Sequence, residues 1–376
     1  MTGLSRRALL ASGCLLVNGA GFAQDRPTGI TRPQAFPAFD ENAAPCAPPP
    51  GRERSLVFAQ DNDRQFMQGV AAGLSAAARD RGLAFRVATA ANDPNQMIRH
   101  VREAKEQKAG AVVAAPINAS TLAPALMEMI WDGGYVGTIV PPPAVSLLNA
   151  PQFLTGRALG DAAVSYIRSR LNGKARVVLL THDTNQYLAQ RFVAIRQALK
   201  ELPDVSIVAD ISPQTVNKEG GYATMQMVLL AHANIDVVLG ADTVVLGALA
   251  ALRAAGKARP DQFLGGIDGE PEAVAELKAG TVYKASISLA SPVFGYAMGQ
   301  HAADWLDGRS IPQAMDILPT TLSASNITQY EADLADPGAV YRDRTRRDRY
   351  LKMYGNICYE TRDRFVNFAW SSERRP

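Results

Sequence analysis

The stretch from residue 235 to residue 289 constrains the fold more than any other part of the sequence. It contains apolar runs at 235–239 and 263–267, helical periodicity at 242–255 and 271–279, and a strand pattern at 282–288. Short β-rich runs that alternate with helices of about a dozen residues are typical of βαβ units in a parallel sheet. The sequence therefore predicts an α/β protein with doubly wound parallel sheets.

Two carboxylates follow the apolar runs of this stretch. Asp242 follows the first run after Gly240 and Ala241, and Asp268 follows the second directly, next to Gly269. Ligands of parallel sheets bind at the carboxyl ends of the strands, and glycine lets the backbone approach a ligand closely. Both residues are therefore candidate ligand-binding residues. The alternative for each is that its side chain only caps the helix that follows.

The same alternation occurs earlier, in four βα units over residues 54–154. Asn62 and Asp63 follow the first of these strands and Asn118 follows the third, so all three are further candidates for ligand binding. Ser120 is predicted to cap the third helix. Four such units make one lobe of a doubly wound protein. The chain has 376 residues, so enough of it is left to form a second lobe.

A family resemblance becomes visible at this point. The helix GALAALRAAG followed by a strand ending in GIDGEP, together with AVVAAPINASTLAPAL upstream, resembles periplasmic sugar-binding proteins of the ribose/galactose type. These are type I solute receptors of ABC importers. The resemblance covers about residues 55–325. It implies two lobes joined by a three-strand hinge with crossings near Thr155, Ala290 and Pro319, and a monomer that needs no cofactor and meets an ABC permease.

The domain boundaries expected from this resemblance are as follows. Residues 54–154 and 290–318 form lobe 1, and residues 155–289 and 319–335 form lobe 2. Residues 24–53 are a Pro-rich leader, expected to be extended, and residues 336–376 are a basic and aromatic tail. The tail is interpreted either as an extra helix packed on a lobe or as a docking surface for a partner.

The resemblance implies that Arg191 and Asp268 bind the ligand, since both match ligand-binding positions of the family. Other family positions differ: the first strand end lacks an aromatic pair, and the fourth has the prolines 141–143 in place of Asp-Arg. Smaller or apolar residues replace three further polar or aromatic ligand contacts, at Val216, Ala241 and Leu289. The sequence therefore predicts a ligand that is less polar than an ordinary pentose or hexose.

The first 23 residues have the order of an export signal. Arg6 and Arg7 form a basic region, residues 8–17 are apolar, and residues 21–23 are a cleavage site, so a periplasmic mature chain starting near Gln24 is expected. The string SRRALLA resembles a twin-arginine signal. A lipoprotein cleavage at Cys14 is the alternative.

Two cysteines are left in the mature chain after such a cleavage, Cys46 and Cys358. Because the periplasm is oxidising, they are predicted to form a disulfide between the leader and the tail.

Other functions find little support in the sequence. It contains no G-x-S-x-G, H-E-x-x-H, phosphate-loop or dinucleotide motif, so an enzyme is not expected. No histidine has a second ligand at metal spacing. A net charge of +3 gives no reason to expect a nucleic acid partner. Two functions are left: a receptor that delivers a small molecule to an ABC importer, and a ligand sensor of the same fold read by a membrane sensor kinase.

Overall fold

The computed structural model describes residues 34–182, 185–323 and 325–373, which form two α/β lobes. The predicted export signal, with Cys14 and the expected start at Gln24, lies outside the described residues. Each lobe has a largely parallel sheet with helices packed on it, which confirms the fold class predicted from the 235–289 stretch. Within the described ranges, no helix combines the length and the apolar character needed to cross a membrane.

The first sheet has seven strands in the order β13-β11-β5-β4-β3-β1-β2. All neighbours are parallel except β11 and β13, which are antiparallel. Its strands are β1 (Glu53–Gln60), β2 (Ala84–Thr89), β3 (Ala109–Ala114), β4 (Tyr135–Ile139), β5 (Ser146–Asn149), β11 (Ala314–Ile317) and β13 (Leu351–Tyr354).

The second sheet has six strands in the order β12-β10-β9-β8-β6-β7, and only β12 is antiparallel to its neighbour. Its strands are β6 (Ala175–Leu180), β7 (Val205–Ile211), β8 (Val237–Ala241), β9 (Phe263–Asp268), β10 (Tyr283–Ser288) and β12 (Thr320–Thr321).

The helices connect and cover these strands. They are α1 (Gln65–Arg81), α2 (Pro94–Glu106), α3 (Ala119–Trp131), α4 (Gln152–Arg170), α5 (Ala189–Leu199), α6 (Lys218–Ala231), α7 (Asp242–Ala254), α8 (Pro271–Lys278), α9 (Ser291–Leu306), α10 (Ile327–Ala335), α11 (Pro337–Arg342) and α12 (Arg344–Arg347).

Local sequence signals explain most helix ends. Gly82 adopts the left-handed conformation that ends α1, and the Asp93 side chain accepts a hydrogen bond from Asn95 N at the start of α2. The prediction that Ser120 caps α3 is wrong. The cap is Asn118, whose Oδ1 accepts a 3.1 Å hydrogen bond from Thr121 N, and Ser120 only donates its hydroxyl to the same oxygen.

The chain passes between the sheets at residues 150–151, 289–290 and 318–319. At the last of these points β11 ends in the first sheet and β12 begins in the second. After β12, the chain returns through α10 and α11 to the first sheet, where β13 becomes an edge strand.

The tail is not one added helix. It contains α11, α12, β13 and an irregular segment whose aromatic rings pack with the leader. Phe36 of the leader lies 5.8 Å from Trp370 and 6.4 Å from Phe368, measured between ring centroids. A disulfide joins Cys46 to Cys358. The leader and the tail therefore form one unit against lobe 1.

Candidate functional site

A cleft of about 1160 Å³ separates the two sheets at the carboxyl ends of their strands. Its walls come from the loops after β1, β3 and β4 on one side and after β6, β7, β8 and β9 on the other. Residues of the three crossings, Ala150, Leu289 and Ile317, also line it. This is the place where an open α/β sheet positions ligand-binding groups.

Arg191 and Asp268 both line this cleft from the second lobe. Arg191 is buried in the first turn of α5, and its Nε donates a 3.0 Å hydrogen bond to Gln152 Oε1. Asp268 is the last residue of β9. Burial lowers the pKa of Arg191, and the Asp268 charge partly opposes that effect. The two side chains therefore place a cation and an acid on the same wall of the cleft.

The position of Arg191 depends on close packing of two helices. A Cβ atom at Gly156 of α4 would overlap the backbone carbonyl oxygen of Arg191. Only glycine permits this approach, so α4 fixes the start of α5 and, with Gln152, orients the guanidinium. This packing gave no recognisable sequence signal.

Asp268 has an unusual environment for a carboxylate. Burial raises its pKa to about 7, with Arg191 and Arg64 lowering it and Asp242 raising it. Its backbone has φ of 126°, a conformation that favours glycine. Across the cleft, Val140 of the first lobe also has positive φ, at 76°. Such strain in non-glycine residues occurs most often at functional sites, and here it marks both walls of one cleft.

Arg64 lines this charged end and Glu270 is buried close to it without lining the cleft, and the sequence did not single out either residue. Glu270 is 2% exposed and accepts a 3.2 Å hydrogen bond from Phe66 N of the opposite lobe. Burial raises its pKa to about 8, and Asp268 adds to the effect. Burial works against the charge of Arg64, but its ion pair with Asp61 leaves the Arg64 pKa raised.

Asp242 does not line the cleft, so its prediction as a ligand-binding residue is corrected. It is fully buried and accepts four hydrogen bonds, from Gly269 N (2.8 Å), Glu270 N (2.9 Å), Tyr283 OH (2.6 Å) and Ser286 OH (2.7 Å). Because β8 lies beside β9, its carboxylate reaches the start of α8 instead of its own helix. Asp242 thus supports the loop that carries Asp268 and Glu270.

The three candidates of the first lobe are placed differently from one another. Asn62 is buried and lines the cleft, and its Nδ2 donates to Asn92 Oδ1 at 2.9 Å. Asn118 lines the cleft from an exposed position, where it caps α3. Asp63 is exposed and does not line the cleft, because the chain turns there toward α1. The prediction that Asp63 binds the ligand is therefore corrected.

The remaining lining is largely apolar. The three replacements noted in the sequence all line the cleft, namely Val216, Ala241 and Leu289. A second apolar wall is formed by α3 and the β4 loop, with Ile117, Ala123, Met127, Leu148 and residues 141–143. Aromatic rings are nevertheless present at places the sequence did not indicate: Phe66, Tyr187, Phe192 and Phe294. The cleft is therefore charged at one end, apolar along the wall formed by α3 and the β4 loop, and polar along the loops after β6 and β7, where Thr181, Gln186, Ser212, Gln214 and Thr215 line it.

Comparisons with known proteins agree with this architecture. A family profile described as "Periplasmic binding protein domain" matches residues 55–310. The D-apiose import binding protein of Actinobacillus succinogenes is 26% identical over 251 residues, which is 61% of this chain and 74% of the relative.

Two solved structures show the same fold at low sequence identity. The myo-inositol binding protein of Caulobacter superposes with a TM-score of 0.64 and 24% identity, covering 75% of this chain and 97% of that one. A twin-arginine translocation pathway signal protein of Burkholderia phytofirmans superposes with a TM-score of 0.69 and 20% identity, covering 82% of this chain and 99% of that one.

Proposed function

The chain belongs to the family of periplasmic binding protein domains, and from this premise we propose that it captures a small molecule between its lobes and delivers it to an ABC importer. The observation that carries the proposal is the pair Arg191 and Asp268 in the interlobe cleft. A ligand that contacts both lobes favours the closed form by its difference in affinity between the closed and open forms. The importer's permease would then receive the closed, loaded, monomeric protein in the periplasm.

The proposed ligand is a sugar or related polyol that carries an apolar portion. The relatives named above are binding proteins for D-apiose and myo-inositol, which supports a polyhydroxylated ligand. Arg191 keeps four N–H donors after the bond from its Nε to Gln152, and Asp268 accepts when ionised and donates when protonated, so together they suit neighbouring hydroxyl groups. The wall formed by α3 and the β4 loop supports an apolar substituent, since it presents mainly hydrocarbon to the ligand.

A binding screen of the mature protein tests this proposal. Thermal shift and calorimetry would compare D-apiose, myo-inositol, ribose, glucose and galactose with methyl and phenyl glycosides and simple carboxylates. A ligand at 100 times its Kd stabilises the fold by about 2.7 kcal/mol.

We expect sugars with an apolar substituent to bind more tightly than the parent sugars. Micromolar binding of unsubstituted ribose, glucose or galactose would overturn the apolar part of the proposal. Stabilisation by carboxylates alone would contradict the proposal that the ligand is a sugar or polyol.

Export by the twin-arginine route is also proposed. It is supported by Arg6 and Arg7 and by the similar fold of a protein named for that pathway. Replacing both arginines by lysine keeps the charge and should keep the chain in the cytoplasm. Unchanged export of that variant, measured by cell fractionation, would argue for another route.

A further inference from the structure

One residue of the tail, Asn367, reaches the cleft although it lies outside the matched domain. The family match ends at residue 310, yet Asn367 lines the cleft. It is the only cleft-lining residue that the described part of the tail beyond residue 335 contributes. The tail therefore adds a polar side chain to a site that the domain itself builds.

Strand-like pairing places Asn367 beside the proline loop. Ala144 N donates to Val366 O at 2.9 Å and Val366 N donates to Ala144 O at 2.8 Å, in an antiparallel bridge. This register sets Asn367 opposite Pro143, the last of the prolines after β4. Proline has neither a side-chain donor nor a backbone N–H, so this corner of the cleft has few groups of its own that bind a polar ligand.

Tight packing on both sides holds Asn367 in place. Phe365 and Val366 are fully buried, and Phe365 packs edge-on against Trp131 at 5.1 Å between ring centroids. On the other side, Phe368 and Trp370 pack on Phe36 of the leader. An element fixed in this way can orient a ligand, as a mobile terminus could not.

The amide of Asn367 has an unmet hydrogen-bonding requirement. Its Oδ1 is shielded from solvent and has no hydrogen-bond partner among the described residues. Leaving such an atom without a partner is costly, so the Asn367 amide needs a partner that the described residues do not supply.

We propose that Asn367 is a specificity-determining residue that binds a hydroxyl group of the ligand at the proline corner of the cleft. An amide both accepts and donates, which matches a hydroxyl. This inference rests on the proposed function and extends it: the tail restores polarity where the β4 loop has none. A ligand would thus meet Arg191 and Asp268 from the second lobe and Asn367 from the tail.

Calorimetry with Asn367→Ala and Asn367→Leu tests the assignment. The probe is the sugar or glycoside that binds wild type most tightly in the screen described above. Loss of a neutral hydrogen bond should weaken binding between about 2- and 12-fold. The leucine variant should bind more weakly than the alanine variant, because leucine fills the space in which a water could replace the amide as the partner of the hydroxyl. Glu360→Ala, an exposed change in the same tail, is the control and should bind like wild type.

Crystals of the mature protein soaked with myo-inositol, and separately with glycerol, provide the second arm. A probe hydroxyl hydrogen-bonded to the Asn367 amide supports the assignment. An amide bonded only to protein groups in both crystals, or wild-type affinity of both variants, overturns it. If no sugar or glycoside binds wild type, the proposed function fails, and the glycerol crystal alone still decides the assignment of Asn367.

Discussion

The backbone amide of Phe66, at the start of α1, donates a 3.2 Å hydrogen bond to the carboxyl group of Glu270, at the start of α8. A second bond beside it, from Glu272 N to Gln65 Oε1, is also 3.2 Å long. Both bonds join one lobe to the other next to the charged end of the cleft. Separating the lobes at this edge would break them and hydrate Glu270, so we expect them to form on closure.

Loss of the protons held by Asp268 and Glu270 should lower the free energy of unfolding as the pH rises. The folded-state pKa is raised to about 7 for Asp268 and about 8 for Glu270, from ordinary values of 3.8 and 4.5. The folded chain binds these protons more tightly than the unfolded chain. Their stabilising contribution is therefore complete below about pH 4 and is lost as the pH rises through about 7 to 8.

The measurement is the difference in melting temperature between wild type and Glu270→Gln from pH 4 to pH 9. Glutamine keeps an acceptor for Phe66 N but removes the charge, so the variant should gain on wild type as the pH rises. Glu219→Gln, at an exposed position of α6, is the matched control and should run parallel to wild type. Parallel curves for all three proteins would contradict the expected titration.

Arg191→Ala and Asp268→Asn should each weaken ligand binding by about 10- to 150-fold, because a charge-assisted hydrogen bond typically contributes about 1.5–3 kcal/mol. The melting temperature of the empty protein should change little, since each variant removes a desolvated charge. Arg196→Ala is the control on the same helix, because Arg196 pairs with Asp210 on the surface. Variants that bind normally but melt well below wild type would make these two residues structural.

Removing the disulfide should destabilise the unit formed by leader and tail. Cys46 and Cys358 are separated by 312 positions, and a bridge of that span contributes about 6 kcal/mol in the chain-entropy model. Cys46→Ser with Cys358→Ser should lower the denaturation midpoint in urea. Intact mass of protein taken from the periplasm is the companion measurement, and two free thiols there would show that the bridge does not form in the cell.

Uptake measurements should separate the importer receptor from the sensor. A strain that lacks the protein should lose accumulation of the labelled ligand, because the permease then receives none. A strain that keeps normal uptake but fails to induce genes in response to the ligand would favour the sensor kinase alternative.

Periodicity predicted the alternating strands and helices well, since amphipathic faces depend on local sequence. It missed β5, a four-residue strand that follows three prolines and lies between β4 and β11 in the sheet. It also missed β13, whose charged surroundings resembled a solvated helix. Local sequence cannot show that residues 351–354 pair with residues 314–317 as an edge strand.

The site shows the same division. Arg191 and Asp268 could be proposed because they match a family pattern at strand ends. Asp242 matched the same kind of pattern, but its carboxylate points past the adjacent strand β9 to β10, where Tyr283 and Ser286 donate hydrogen bonds to it. Glu270 and Asn367 gave no signal, because their importance depends on contacts across the cleft and with the proline loop.

The position of β13 at the edge of the first sheet has a consequence for the order in which the chain assembles. The second sheet needs residues 175–321, so it can form while the chain is still being made. The first sheet cannot be completed until residue 354 is available, and Cys46 must wait for Cys358. Lobe 1 therefore begins earlier in the chain than lobe 2 but is completed later. A chain that stops before residue 350 lacks β13, so the edge of β11 should be left unpaired and open to other strands.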